Sequence, residues 1–210
     1  MTSKRCAPKT IAAVALTVLA TLTACTGAKD QPLGPPTPSG ATLFPGGPME
    51  PIPTAKNPKI PTSQQEAQDT VLRYLQDTLN ALPKGSKLDG TRFGDPGSTI
   101  NCSDDATGPA DPVEFSDLRD VIVPAGTESA RIVAEIDEVW RRWGWQVLER
   151  EGFPKPNRFG YAPDGYVLQI KVRNDPIHSV SMIGTSPCFP GNLRRDDISQ
   201  PGVITQLPSA

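Results

Sequence analysis

YVLQIKVR (residues 166–173) comes close to a period of two: Tyr166, Leu168, Ile170 and Val172 fall on one side, and Val167, Gln169, Lys171 and Arg173 on the other. A period of two is the mark of a strand with one packed and one wet face, which antiparallel sheets accommodate and buried parallel sheets do not. Turn residues bound it, PDG at 163–165 and NDP at 174–176, and the apolar run at 177–184 reads as the returning strand. Upstream, 145–151 and the shorter 158–161 extend the pattern into an antiparallel meander. Downstream of Cys188 no period survives, and 196–210 reads as an irregular tail closing a domain of residues 62–195.

Two helices precede the meander. Ser63 and Glu66 match the S-x-x-E capping box, Ala67, Val71, Leu75, Leu79 and Leu82 recur at three- and four-residue spacing, and Pro83 and Gly85 stop the run. The second opens near Thr127, a candidate cap, and carries Ile132, Val133, Ile136, Val139, Trp140 and Trp143 on one stripe before Gly144. Between them 113–123 reads as a strand, and the Gly- and Asp-rich 84–112 offers short strands around 91–93 and 98–102. The fold class is therefore α+β, an antiparallel meander with two helices packed on one face.

The N-terminus is of another kind. Lys4, Arg5 and Lys9 precede an apolar run from Ile11 to Ala20, long enough for a secretory signal and too short to span a bilayer. Leu22-Thr23-Ala24-Cys25 then resembles the lipobox of bacterial lipoproteins. That resemblance implies cleavage after residue 24 and acylation of Cys25, palmitate among the chains, because one acyl chain binds membranes only reversibly and two or more hold persistently. Residues 25–61, rich in Pro and Gly, read as a disordered tether reaching at most ~110 Å if stiff. The partner so implied is the membrane, on its extracytoplasmic face. Loss of the three leader cations makes the net charge of −2 more negative, which gives no electrostatic reason to bind nucleic acid.

Cysteine use closes under this reading. Cys6 leaves with the signal, Cys25 takes lipid, and Cys102 and Cys188 remain as a disulfide pair in an oxidising compartment. Closing a loop of about 85 residues stabilises by on the order of 4–5 kcal/mol in the chain-entropy account. A zinc site is disfavoured, since His178 is the single histidine and a structural site takes four Cys or His ligands; no metal or cofactor is expected.

Catalytic signatures are absent. His178 stands beside Ser179 and near Ser181, but G-x-S-x-G and S-x-x-K do not occur, so no catalytic residue is assigned. Asp104, Asp105, Asp111 and Glu114 read as a solvated acidic loop rather than a cation site. WRRWGW (140–145) places Trp140, Trp143 and Trp145 where core packing competes with ligand stacking; they are the candidate ligand contacts, with packing favoured.

The order of features, namely lipobox, Pro-rich spacer, helix, Cys before an acidic loop, helix ending in WRRWGW, then DGYVLQIKV (164–172) and GTSPCF (184–189), resembles the LppA-like lipoproteins of mycobacteria and related actinobacteria over residues 62–190. The resemblance implies an envelope location and an α+β domain, and supplies no catalytic residues. The function expected is a lipid-anchored binding or accessory module with an unknown envelope protein or small ligand as partner. The rivals are an enzyme on envelope polymers with carboxylate acid and base, and a carrier of an apolar molecule.

Overall fold

The computed structural model describes residues 50–174, 180–195 and 197–208. In chain order they form α1 (Gln64–Asn80), β1 (Lys87–Asp89), β2 (Gly97–Asn101), β3 (Val113–Ile122), α2 (Ser129–Arg142), β4 (Gln146–Leu148), β5 (Asn157–Tyr161), β6 (Val167–Val172), β7 (Val180–Thr185) and β8 (Val203–Thr205). The eight strands make one sheet in the order β4-β5-β6-β7-β3-β1-β8, with β2 also on β3, and every pairing is antiparallel. This is the α+β architecture expected, two helices on an antiparallel sheet.

Both helices lie on the same face, and two glycines let them. Gly160 on β5, Leu168 on β6 and Gly184 on β7 stand opposite one another in register and so share that face. A methyl group at Gly160 would come within 2.5 Å of Trp140 on α2, and one at Gly184 within 2.7 Å of Val71 on α1. The long strand β3 carries the centre, pairing with β7 along one edge and with β2 and β1 along the other. The core between the layers includes Leu75, Leu79, Leu88, Phe115, Ile132, Ile136, Trp140, Leu168 and Ile170.

Local chemistry matches most of the expected boundaries and changes a few. Ser63 caps α1, its Oγ accepting from the Glu66 N–H at 3.1 Å. The reciprocal half of the box slips by one residue, since the Glu66 carboxylate accepts from the N–H and hydroxyl of Thr62. Thr127 does not cap α2; the N-cap is Glu128, without a side-chain hydrogen bond. At the other end Arg141 and Arg142 suit the negative end of the helix dipole. The strand expected at 91–93 is a single 3-10 turn, Thr91–Phe93, and the strand of this region is β1 instead.

Two larger corrections concern the ends. The segment expected as an irregular tail adds β8 to the edge at β1, with Ile204 opposite Leu88 and 6 % exposed. It also braces the end of α1: the Gln206 amide donates to the carbonyls of Leu79 and Leu82 at 3.0 and 2.8 Å, the first of which also accepts from the Leu82 N–H. Three residues are too few to show alternation. The last part of the expected tether is likewise docked, with Asn57 N–H donating to Pro163 O at 2.8 Å and Lys59 N–H to Asp164 O at 2.9 Å. The Arg150 guanidinium donates to the Glu50 carbonyl and to Tyr161 Oη, so residues 50–59 are stitched to the β5–β6 end of the sheet. Residues 1–49, among them Cys6, the lipobox and Cys25, lie outside the described residues.

Candidate functional site

Gln64 and Gln68, one helical turn apart on α1, turn their amides toward the segment after Arg194. Gln64 makes a reciprocal pair with the Arg195 backbone, donating to its carbonyl and accepting from its N–H, both at 2.5 Å. Gln68 donates to Ser199 O at 3.1 Å. Opposite, Gln200 donates to Gly97 O of β2 at 2.8 Å. Between these ties a cleft of about 510 Å³ stays open, walled by α1, β2 and residues 194, 195 and 197–200.

Two features of the cleft bear on chemistry. Gln200 Oε1 is buried and has no hydrogen-bond partner, which leaves an acceptor costing stability unless a ligand group or water meets it. Arg195 and Asp197 pair through two hydrogen bonds of 2.8 and 2.7 Å, and the guanidinium holds the Asp197 carboxyl below the usual aspartate range. A carboxylate so paired is a poor general acid. The cleft offers amides, guanidinium groups, the hydroxyls of Ser98 and Thr99 and the carboxylates of Asp95 and Asp197, an inventory suited to holding hydroxyl and amide groups.

The three tryptophans expected as possible ligand contacts are placed unequally. Trp140 is 0 % and Trp145 7 % exposed, stacked on each other with ring centroids 6.0 Å apart, and Trp140 Nε1 donates to Thr78 Oγ1 at 3.0 Å across the two helices. Tyr74 meets Trp145 edge-on at 4.9 Å. Trp143 alone shows a substantial face, 37 % exposed. The arginines between them are engaged along the helix, Arg141 with Asp137 and Arg142 with Glu138. None of the three lines the cleft beside α1.

Cys102 and Cys188 are bonded, as the sequence expects. The bridge crosses over β3 and brings both sulfurs near the carboxyl of Glu114, a half-buried group whose pKa burial pushes up. The other acidic residues of that loop do not join it. Asp111 turns inward to accept from the N–H groups of Thr107 and Gly108, which hold it below its usual range. Ser181 is buried on β7, its hydroxyl without a partner, and His178 and Ser179 lie outside the described residues.

A buried ion pair completes the inventory. On β3, Arg119 donates to both oxygens of Asp117 at 2.7 and 2.9 Å and also to the carbonyls of Pro201 and Gly202. Burial pushes Asp117 up and Arg119 pulls it back only in part. Both side chains are 0 % exposed, so the pair ties the C-terminal segment to the sheet and meets no substrate.

Of these features, only the four-residue spacing of Gln64 and Gln68 is local, and it marks a shared helix face without marking a ligand wall. Gln200 and the approach of Glu114 to the sulfurs carry no local signal, because both depend on which strands become neighbours. Compared with protein-family models, curated proteins and solved structures, the chain matches none.

Proposed function

We propose that the chain is a lipid-anchored cell-envelope module that binds a polar envelope component through the cleft between α1 and residues 194, 195 and 197–200. The anchor reading is supported by the lipobox-like Leu22 to Cys25 behind an apolar run, and export by the disulfide, a bond that oxidising compartments preserve. Binding is supported by one observation above the others: the buried Gln200 acceptor in the cleft has no partner, beside the hydroxyls of Ser98 and Thr99, the Asp95 carboxylate and the Arg195–Asp197 ion pair. A ligand bearing hydroxyl and amide groups, as glycan–peptide wall polymers do, satisfies such a wall.

The two halves have separate tests. Cells given labelled palmitate should incorporate it into the wild-type chain and not into Cys25→Ala; label in both, or in neither, refutes the anchor. Soluble disaccharide–peptide fragments of cell wall, titrated into the purified protein, should shift the side-chain amide resonances of Gln64, Gln68 and Gln200 saturably, with the fragments recovered intact. Fragments returned cleaved would make the protein an enzyme, and unmoved amides would remove the cleft from consideration.

A further inference from the structure

Among the described residues, one set of three metal-ligating side chains converges: the sulfurs of Cys102 and Cys188 and a carboxylate oxygen of Glu114, all within 4.8 Å of one another. We propose that Cys102, Cys188 and Glu114 form a zinc site that opens when the disulfide is reduced.

Backbone hydrogen bonds on both flanks of β3 hold the three groups alongside the sulfur–sulfur bond. Glu114 is the second residue of β3 and stands opposite Ile100 of β2, while the N–H of Cys102, the residue after β2, donates to Pro112 O at 3.0 Å. On the other flank, Phe189, the residue after Cys188, exchanges two hydrogen bonds with Val113, at 2.8 and 2.9 Å. Cys102 and Cys188 are thus held on either side of the residue pair 113 and 114, with their Cα atoms 6.3 Å apart. Zinc takes thiolate sulfur at about 2.3 Å and carboxylate oxygen at about 2.0–2.2 Å, so a tetrahedral centre wants its sulfurs roughly 3.8 Å apart. Side-chain rotation supplies that separation, and no strand has to move. Cys188 is exposed, which gives reductant and metal an approach.

The chemistry balances with a dithiol as reductant. The dithiol gives two electrons and two protons to the Cys102–Cys188 bond and leaves as its own disulfide. Zn²⁺ then replaces the two thiol protons, which go to solvent, and Glu114 binds as the carboxylate. Three protein ligands leave a fourth position for water, the pattern of open zinc sites. The sequence points away from zinc because only cysteine and histidine count as soft ligands there; a carboxylate delivered by strand register changes the count.

The test uses the purified full chain. After reduction with dithiothreitol and its removal under anaerobic conditions, wild type should take up one Zn²⁺ per chain, and Co²⁺ should give a sulfur-to-metal charge-transfer band. The oxidised protein should do neither. Glu114→Gln should weaken affinity by at least about tenfold, the least that even outer-shell partners cost. The Cys102→Ser/Cys188→Ser variant should lose the site. If reduction unfolds the chain, zinc should restore the far-ultraviolet circular dichroism of wild type and, at the same concentration, not of Glu114→Gln. Equal zinc affinity of reduced wild type and the double serine variant, or of wild type and Glu114→Gln, overturns the proposal.

Discussion

Replacing Arg119 by Met is expected to destabilise the domain by about 3–5 kcal/mol at neutral pH, the cost of leaving one member of a buried ion pair without its partner. Asp117 would keep its place under the C-terminal segment with no donor at either oxygen, and the carbonyls of Pro201 and Gly202 would lose theirs. The sign of the pH dependence follows from Asp117. Burial already raises its pKa above the usual 3.8, and removing Arg119 takes away the group that lowers it. The folded variant therefore binds a proton more tightly than the unfolded chain, and its stability falls as pH rises from the usual aspartate value through the raised one. Below that window Asp117 is neutral in both states, and the deficit against wild type is smallest. Urea unfolding below pH 3.8 and at pH 7.5 measures both ends. The double variant Asp117→Leu/Arg119→Met should regain most of the loss, because no charge is then buried. A single variant within about 1 kcal/mol of wild type at pH 7.5, or a double variant no better than the single, would show that the pair does not hold the C-terminal segment to the sheet.

That pair also marks where sequence reasoning stops. Alternation in 166–173 and the three- and four-residue spacing in both helices identify layers because each burial pattern repeats several times within one segment. β3 was legible as a strand from its apolar residues, yet Asp117 and Arg119 inside it face the helices and are buried, a placement that depends on the arrival of residues 201 and 202. The same holds for β8, where three residues gain a partner in β1 from more than a hundred positions away. The disulfide was legible through elimination among four cysteines. The cleft was not, because its walls come from α1, β2 and the last part of the chain, and each wall alone reads as an ordinary polar surface.

Trp140→Ala tests the joint between the two helices and is expected to cost about 3–5 kcal/mol, the range for deleting a fully buried aromatic. The ring fills the space above Gly160, stacks on Trp145 and donates to Thr78 of α1, so its loss opens a cavity at the junction of α1, α2 and β5. Trp140→Phe keeps most of the volume and removes the donor. Thr78 Oγ1 still donates to Tyr74 O at 2.8 Å, so that variant should cost less, about 1–2 kcal/mol. Gly160→Ala presses a methyl into the Trp140 ring and should cost about 1–3 kcal/mol by overpacking. Combined with Trp140→Phe it should cost less than the two separately, because the smaller ring yields room, and a double-mutant cycle reads that coupling directly. Trp143 is 37 % exposed but meets Trp145 edge-on at 5.4 Å, so Trp143→Ala should cost about 1 kcal/mol, well under Trp140→Ala. If Trp143→Ala proves as damaging to unfolding midpoints as Trp140→Ala, the division of WRRWGW into a packed pair and one exposed ring is wrong. If Trp140→Phe and Gly160→Ala simply add, the close approach of α2 to β5 is not what that glycine serves.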